Sequence, residues 1–150
     1  MKGSVEMDRN HAGARPWKPM ELDHGPEPFV ANIPASARQN QNFRTAFWTG
    51  SHLQMTLMCI PAHGDIGVEM HPNTDQMIRV ESGTGMFHWG TCKEKLKEQR
   101  TLGAGDVAFI PCGTWHNIVN HGNCPLKLSS IYGPPQHPRG TVHATKMDGE

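Results

Sequence analysis

The side chains that could do chemistry in this sequence concentrate in two short segments, residues 64–83 and 105–120. The first segment contains Glu69 and His71, which are two residues apart. On an extended strand these two side chains point to the same face, with their Cα atoms about 6.5–7 Å apart. A carboxylate and an imidazole held this close are suited to binding a metal ion or to moving a proton.

Other reactive side chains lie alone in the sequence. His88 shares a strand face with Met86, and we expect that face to line the interior, where His88 could transfer a proton. Tyr132 is the single tyrosine and ends a candidate strand, so it is a second candidate catalytic residue. Arg44 could bind a substrate anion or lie between strands. The roles of His63, His137 and His143 stay open.

The second segment, residues 105–120, reads GDVAFIPCGTWHNIVN. It resembles the second signature of the cupin superfamily, in which a glycine is followed by Pro-x-Gly, a histidine and an asparagine at fixed spacings. The five signature positions are occupied by Gly105, Pro111, Gly113, His116 and Asn120. The glycines and the proline predict two turns, and the strand after the second turn carries the histidine.

The first segment resembles the first cupin signature less closely. With Gly83 aligned to the final glycine of that signature, His71 occupies the position of the second histidine. Glu69 then occupies the position of the first histidine, and Gln76 that of the usual glutamate. The two resemblances together cover about residues 53–132.

The resemblance implies the fold and a metal site. Cupins are all-β proteins with an antiparallel jelly-roll β-barrel, also called a double-stranded β-helix. Their usual site holds one metal ion, and by position the ligands here are Glu69, His71, Gln76 and His116. With one imidazole fewer than usual, this set favours manganese, iron(II) or zinc over copper. Cys112 lies four residues before His116, but a zinc site would need further ligands.

Short apolar runs separated by glycine and proline agree with an all-β domain. The strands are expected in the following ranges: Phe29–Ile33, Phe43–Trp48, Leu53–Ile60, Gly67–His71, Gln76–Glu81, Met86–Trp89, Arg100–Leu102, Val107–Ile110, Trp115–Val119 and Leu126–Tyr132. Residues 83–85 are expected to form a hairpin turn. We divide the chain into an N-terminal arm (1–25), the barrel domain (26–135) and a C-terminal tail (136–150).

Composition narrows the choice of partners and compartment. The 14 basic residues balance the 14 acidic residues, which gives no electrostatic reason to expect a nucleic acid or an anionic membrane as partner. The sequence contains no apolar run of membrane-spanning length and no apolar leader segment. The four cysteines form no CxxC pair. A cytoplasmic protein with free thiols is therefore expected.

Two classes of function remain open at this stage. The chain is expected to be a mononuclear metalloenzyme acting on a small oxygenated substrate, either isomerase-like, as in relatives of mannose-6-phosphate isomerase, or dioxygenase-like. The alternative is a non-catalytic cupin module that binds a small ligand or a metal. In either case a homodimer is expected, because cupins of this size commonly pair and open sheet edges invite pairing.

Overall fold

A computed structural model describes residues 22–149. The elements in chain order are α1 (Ile33–Gln39), β1 (Arg44–Thr49), β2 (Gln54–Ile60), β3 (Asp75–Ser82), β4 (Gly85–Gly90), β5 (Glu98–Leu102), β6 (Val107–Ile110), β7 (Trp115–Val119), β8 (Leu126–Gly133), β9 (Val142–His143) and a final 3-10 turn, Lys146–Gly149.

The strands form two antiparallel sheets. Six strands pair in the order β6-β3-β8-β2-β1-β9, and three pair in the order β5-β4-β7. Isolated bridges from Asp65 to Val119 and from Glu69 to His116 extend the smaller sheet beyond β7. The predicted all-β jelly-roll fold is confirmed, although the two sheets do not close into a continuous barrel. The segment 67–71, predicted as a strand, forms only one of these bridges.

The core lies between the two sheets. Alternate residues of each strand point inward, and a cluster of buried aliphatic side chains fills the space between them. Its least exposed members are Ile60, Ile78, Val80, Ile118, Leu126 and Leu128. This apolar layer occupies one end of the interior and leaves the other end to polar side chains.

The predicted strand Phe29–Ile33 is wrong, because residues 28–32 have no regular secondary structure and α1 begins at Ile33. The Asn32 side chain accepts a hydrogen bond from the Ala35 N–H, and a proline lies in the first turn, which together start a helix. The helix lies against β2, β3 and β8 and buries Ala37.

The predicted hairpin at residues 83–85 is also wrong. Strands β3 and β4 are consecutive in the chain but lie in different sheets, so the turn carries the chain from one sheet to the other. Gly83 has a φ of 92°, which strongly favours glycine, so the glycine signal identified a turn without revealing its partner strands.

Both ends of the described chain pack against the sheets. The Asp23 carboxylate accepts hydrogen bonds from the Gly25 N–H, the Thr49 hydroxyl and the Gly140 N–H. Near the C-terminus, β9 pairs with β1 at the edge of the larger sheet. The predicted arm lies almost wholly outside the described residues. None of the helices in the described part of the chain has the length and apolar composition to cross a membrane.

Candidate metal centre

Three side chains converge at the polar end of the interior. A carboxylate oxygen of Glu69 lies 3.5 Å from His71 Nε2 and 3.4 Å from His116 Nε2. The three ligand atoms all lie within 4.8 Å of one another, and no other group of three His, Cys, Asp or Glu residues within 22–149 does so. His71 and His116 are buried, and Glu69 is half-buried.

The backbone fixes this convergence. Glu69 and His116 exchange two hydrogen bonds, N–H to carbonyl, of 3.0 and 2.9 Å, so their side chains leave paired positions side by side. His71 follows two residues later, and its carbonyl accepts a hydrogen bond of 2.8 Å from the Gly113 N–H. Gly113 has a φ of 83°, a conformation that glycine adopts without strain. The turn before His116 is thus bound to the segment that carries His71.

The tautomer of His116 and the ionised carboxylate of Glu69 suit a divalent cation. His116 Nδ1 lies 2.9 Å from the Thr114 carbonyl, a contact that requires a proton on Nδ1 and leaves a lone pair on Nε2. Burial by itself would raise the pKa of Glu69, but the adjacent His116 and His71 rings outweigh this effect and lower it to about 2. The Nε2 atoms of both histidines are buried without a hydrogen-bond partner among the described residues. Two imidazole nitrogens and a carboxylate converging in this way fit a bound metal ion.

Gln76 faces the same interior from β3. Its amide nitrogen donates to the Ser130 hydroxyl at 2.8 Å, while its amide oxygen is buried without a partner among the described residues. The hydrogen bond fixes the orientation of the amide and leaves the oxygen available. Whether this oxygen binds a metal stays a prediction.

Tyr132 and His137 continue the polar interior beyond the triad. The Tyr132 ring lies edge-on to His71, with centroids 5.7 Å apart, and His137 lies edge-on to Tyr132 at 5.3 Å. The Tyr132 hydroxyl and His137 Nε2 are buried without a partner among residues 22–149. The Ser130 and Thr56 hydroxyls lie beside the tyrosine without completing a hydrogen bond to it.

Burial sets the charge state of these two groups. Burial and the nearby Glu69 carboxylate raise the pKa of Tyr132 above its ordinary value, so the phenol keeps its proton. Burial and the charge of Arg44 lower the pKa of His137 to about 4, so its imidazole is neutral near pH 7. A protonated phenol and a neutral imidazole therefore lie next to each other, close to the triad.

The sequence matches a known family over about half of its length. A family model described as a cupin domain matches residues 56–132. This chain belongs to the cupin family.

Three relatives are similar to this cupin in sequence. Uncharacterized protein YrkC of Bacillus subtilis is 49% identical over 149 residues, covering 95% of this chain and 80% of the relative. Uncharacterized protein L612 of Acanthamoeba polyphaga mimivirus is 37% identical, covering 76% and 70% of the two chains. The crystal structure of BH2720 from Bacillus halodurans is 52% identical and superimposes with a TM-score of 0.84, covering 85% of this chain and 97% of that one.

The cupin signature residues have separate roles in the structure. His116 belongs to the triad, whereas Asn120 is structural. Its amide nitrogen donates to the carbonyls of Ile60, Pro61 and Cys124, at 3.1, 3.2 and 2.9 Å. Asn120 thereby joins the end of β2 to the loop that precedes β8.

His88 does not face the cupin interior, and the prediction that it does is wrong. Phe87 is buried in the core and Trp89 packs against the same cluster, so His88 projects from the opposite face of β4. Alternation along the strand correctly predicts that Met86 and His88 share a face. It does not determine which face is buried.

The sequence gives no signal that places His137 beside the triad or that joins it to Gln54. The Gln54 amide oxygen accepts from the N–H groups of Gln136 and His137, at 3.1 and 3.0 Å. Its amide nitrogen donates to the His137 carbonyl at 2.8 Å. Gln54 is fully buried and lies more than 80 residues from His137 in sequence, so no local motif joins the two.

Proposed function

We propose that this cupin binds one divalent metal ion through Glu69, His71 and His116, and that it catalyses proton transfer on a small oxygenated molecule, as an isomerase does. The observation that carries the proposal is the convergence of three ligand atoms within 4.8 Å of one another, with both histidine Nε2 atoms lacking other partners among the described residues. The Gln76 amide oxygen is the proposed fourth and weakest ligand.

The ligand set guides the choice of metal. One carboxylate, two imidazoles and one amide oxygen form a harder set than the three imidazoles and one carboxylate usual in cupins. Manganese, iron(II) and zinc suit such a set better than copper. When bound, the metal supplies a Lewis acid that polarises a carbonyl or enediol oxygen.

Two side chains of the protein, Tyr132 and His137, would transfer the proton. Tyr132 keeps its phenolic proton because burial and the Glu69 charge raise its pKa, so it acts as a donor. His137 is neutral because burial and the Arg44 charge lower its pKa to about 4, so its Nε2 accepts a proton near pH 7. Gln54 fixes the loop that carries His137. His88 is not part of this proposal, because it lies on the other face of its strand.

Metal content tests the proposed ligands. Wild-type protein purified without a metal-affinity tag should hold about one divalent ion per chain, and His116→Ala should reduce that content at least tenfold. The matched control is His63→Ala, which removes an exposed imidazole outside the triad. Equal metal in the wild type and His116→Ala would remove His116 from the ligand set.

A dioxygenase is the second candidate, because two histidines and one carboxylate form the facial set of non-haem iron enzymes. The discriminating experiment loads the protein with iron(II) anaerobically, adds enediols, diketones or sugars, and then admits air. Substrate-dependent oxygen uptake that is lost in Glu69→Ala would support a dioxygenase. Similar turnover with zinc, manganese and iron and without oxygen uptake would support the isomerase class.

Absence of turnover with every metal across a broad substrate panel would favour a non-catalytic binding module. The homodimer also remains a prediction, supported by β6 and β9, which are the edge strands of the larger sheet within the described part of the chain. Light scattering at micromolar concentration would detect the dimer, and a monomer there would contradict it.

A further inference from the structure

Arg44 is a buried arginine at the edge of the polar interior. It begins β1, is 6% exposed, and pairs with Met58 on one side and His143 on the other. One terminal guanidinium nitrogen lies 3.2 Å from His143 Nδ1, and the Nε atom is buried without a hydrogen-bond partner among the described residues. Most of its donor capacity is therefore unused.

No carboxylate of residues 22–149 lies within 4.0 Å of this guanidinium. Of the acidic side chains nearby, Asp65 is bonded to Lys146, Asp148 is bonded to Thr145, and the Glu69 carboxylate lies beside the two histidines of the triad. His143 accepts at Nδ1 and so brings no negative charge, and burial together with the Arg44 charge lowers its pKa. Among residues 22–149 this buried cation therefore has no counter-charge at salt-bridge distance, and an anionic ligand would offset the cost of burying it.

Arg44 and one member of the triad, Glu69, line the same small cavity. A space of about 220 Å³ is lined by Arg44 and Glu69, together with Phe43, Ile66 and Lys146. This volume lies below the range of roughly 300–1,000 Å³ that is usual for pockets of drug-sized ligands. A ligand that reaches both Arg44 and Glu69 must therefore be small.

We propose that Arg44 binds a carboxylate of the substrate, so that the substrate is a small oxygenated carboxylic acid whose other end reaches the metal centre. The planar guanidinium presents paired N–H donors that match the two oxygens of a carboxylate. This inference rests on the proposed function for the metal end of the substrate. It adds the chemical class of the other end.

The test compares two probes of equal size on the manganese-loaded full chain. L-malate and its 4-amide share the same chelating 2-hydroxycarboxylate, and only malate has a second carboxylate. Calorimetric titration of the wild type should give malate an affinity about tenfold to a hundredfold higher, as expected for hydrogen bonds to a charged group. Arg44→Gln should abolish this preference, whereas Arg38→Gln, which alters an exposed arginine on α1, should retain it.

Equal affinity of the wild type for both probes, or an undiminished preference in Arg44→Gln, would overturn the inference. If Arg44→Gln does not fold, Arg44→Lys decides, because it keeps the charge and loses the planar pair of donors. Its preference for malate should then fall severalfold, and an undiminished preference would count against the proposal. Elemental analysis separates the two proposals: a wild type that takes up no manganese, iron(II) or zinc contradicts the metal centre, and the same probes on the metal-free chain still test Arg44.

Discussion

The two ends of strand β8 face the same interior and differ completely in chemistry. Leu126 and Leu128 point inward from the first half of the strand, and Ser130 and Tyr132 point inward from the second half. All four side chains are buried to 1% exposure or less. One strand therefore contributes to the apolar core at one end and to the candidate metal centre at the other.

The neighbouring strands repeat this division. Leu126 and Leu128 pair with Ile60, Met58 and Val80, whereas Ser130 and Tyr132 pair with Thr56, Ile78, Gln54 and Gln76. The residues paired with the first half of β8 are apolar, and those paired with the second half are polar except for Ile78. The pairing register thus extends the contrast between the two ends across three strands.

The apolar end stabilises the fold, whereas unpaired polar atoms at the polar end lower its stability. Six of the nine buried side-chain polar atoms without partners among residues 22–149 lie at the polar end: Thr56 Oγ1, His71 Nε2, Gln76 Oε1, His116 Nε2, Tyr132 Oη and His137 Nε2. Each such atom costs about 1–3 kcal/mol when it is left unpaired. The apolar end must offset that cost, and the polar atoms remain available for a ligand.

Leu128→Ala should give the largest effect on stability. It removes a fully buried side chain from the apolar end, and the free energy of unfolding should fall by about 2–5 kcal/mol. Chemical denaturation of the metal-free protein measures the loss. Metal content of the folded fraction should stay at the wild-type level, since the triad lies at the other end. A marked loss of metal would mean that the two ends are not independent.

His137 should make stability depend on pH, which an apolar residue cannot do. Its pKa in the folded protein is lowered to about 4, whereas in the unfolded chain it has its ordinary value. As the pH falls from 6.5 towards 4, the unfolded chain gains a proton that the folded chain does not. The folded state should therefore lose on the order of 3 kcal/mol across this window and keep its full stability above pH 6.5.

Urea unfolding of the metal-free protein at several pH values measures this loss. His137→Gln should flatten the pH dependence between 6.5 and 4, while His121→Gln, which alters an exposed histidine, should leave it as in the wild type. Leu128→Ala should shift the whole curve down without changing its slope. An unaltered slope in His137→Gln would show that another group carries the pH dependence.

Tyr132→Phe should have the smallest effect on stability. The hydroxyl has no hydrogen-bond partner among the described residues, so its removal should not lower the free energy of unfolding and should raise it by up to about 1–3 kcal/mol. Thermal and urea unfolding check this value, and metal content should be unchanged. A loss of several kcal/mol would mean that the hydroxyl is bonded within the fold and is not free for a substrate.

The sequence by itself determined the fold family and the residues of the triad. The spacing from Gly105 to Asn120 encodes two turns and the strand that carries His116, and the interval between Glu69 and His71 places both on one face. These relations are local, because strand alternation and turn conformation act over a few residues. Eight of the ten strands expected from the sequence match strands of the structure to within two residues at each end.

Only the tertiary structure decided which groups surround the triad. Alternation correctly placed Met86 and His88 on one face of β4, but the packing of Phe87 determined which face is buried. His137 enters the interior because Gln54, more than 80 residues away in sequence, binds the backbone of its loop. Arg44 is buried beside His143 because β9 pairs with β1. Such contacts join distant parts of the chain, so they depend on sheet pairing and on packing, which local sequence patterns do not encode.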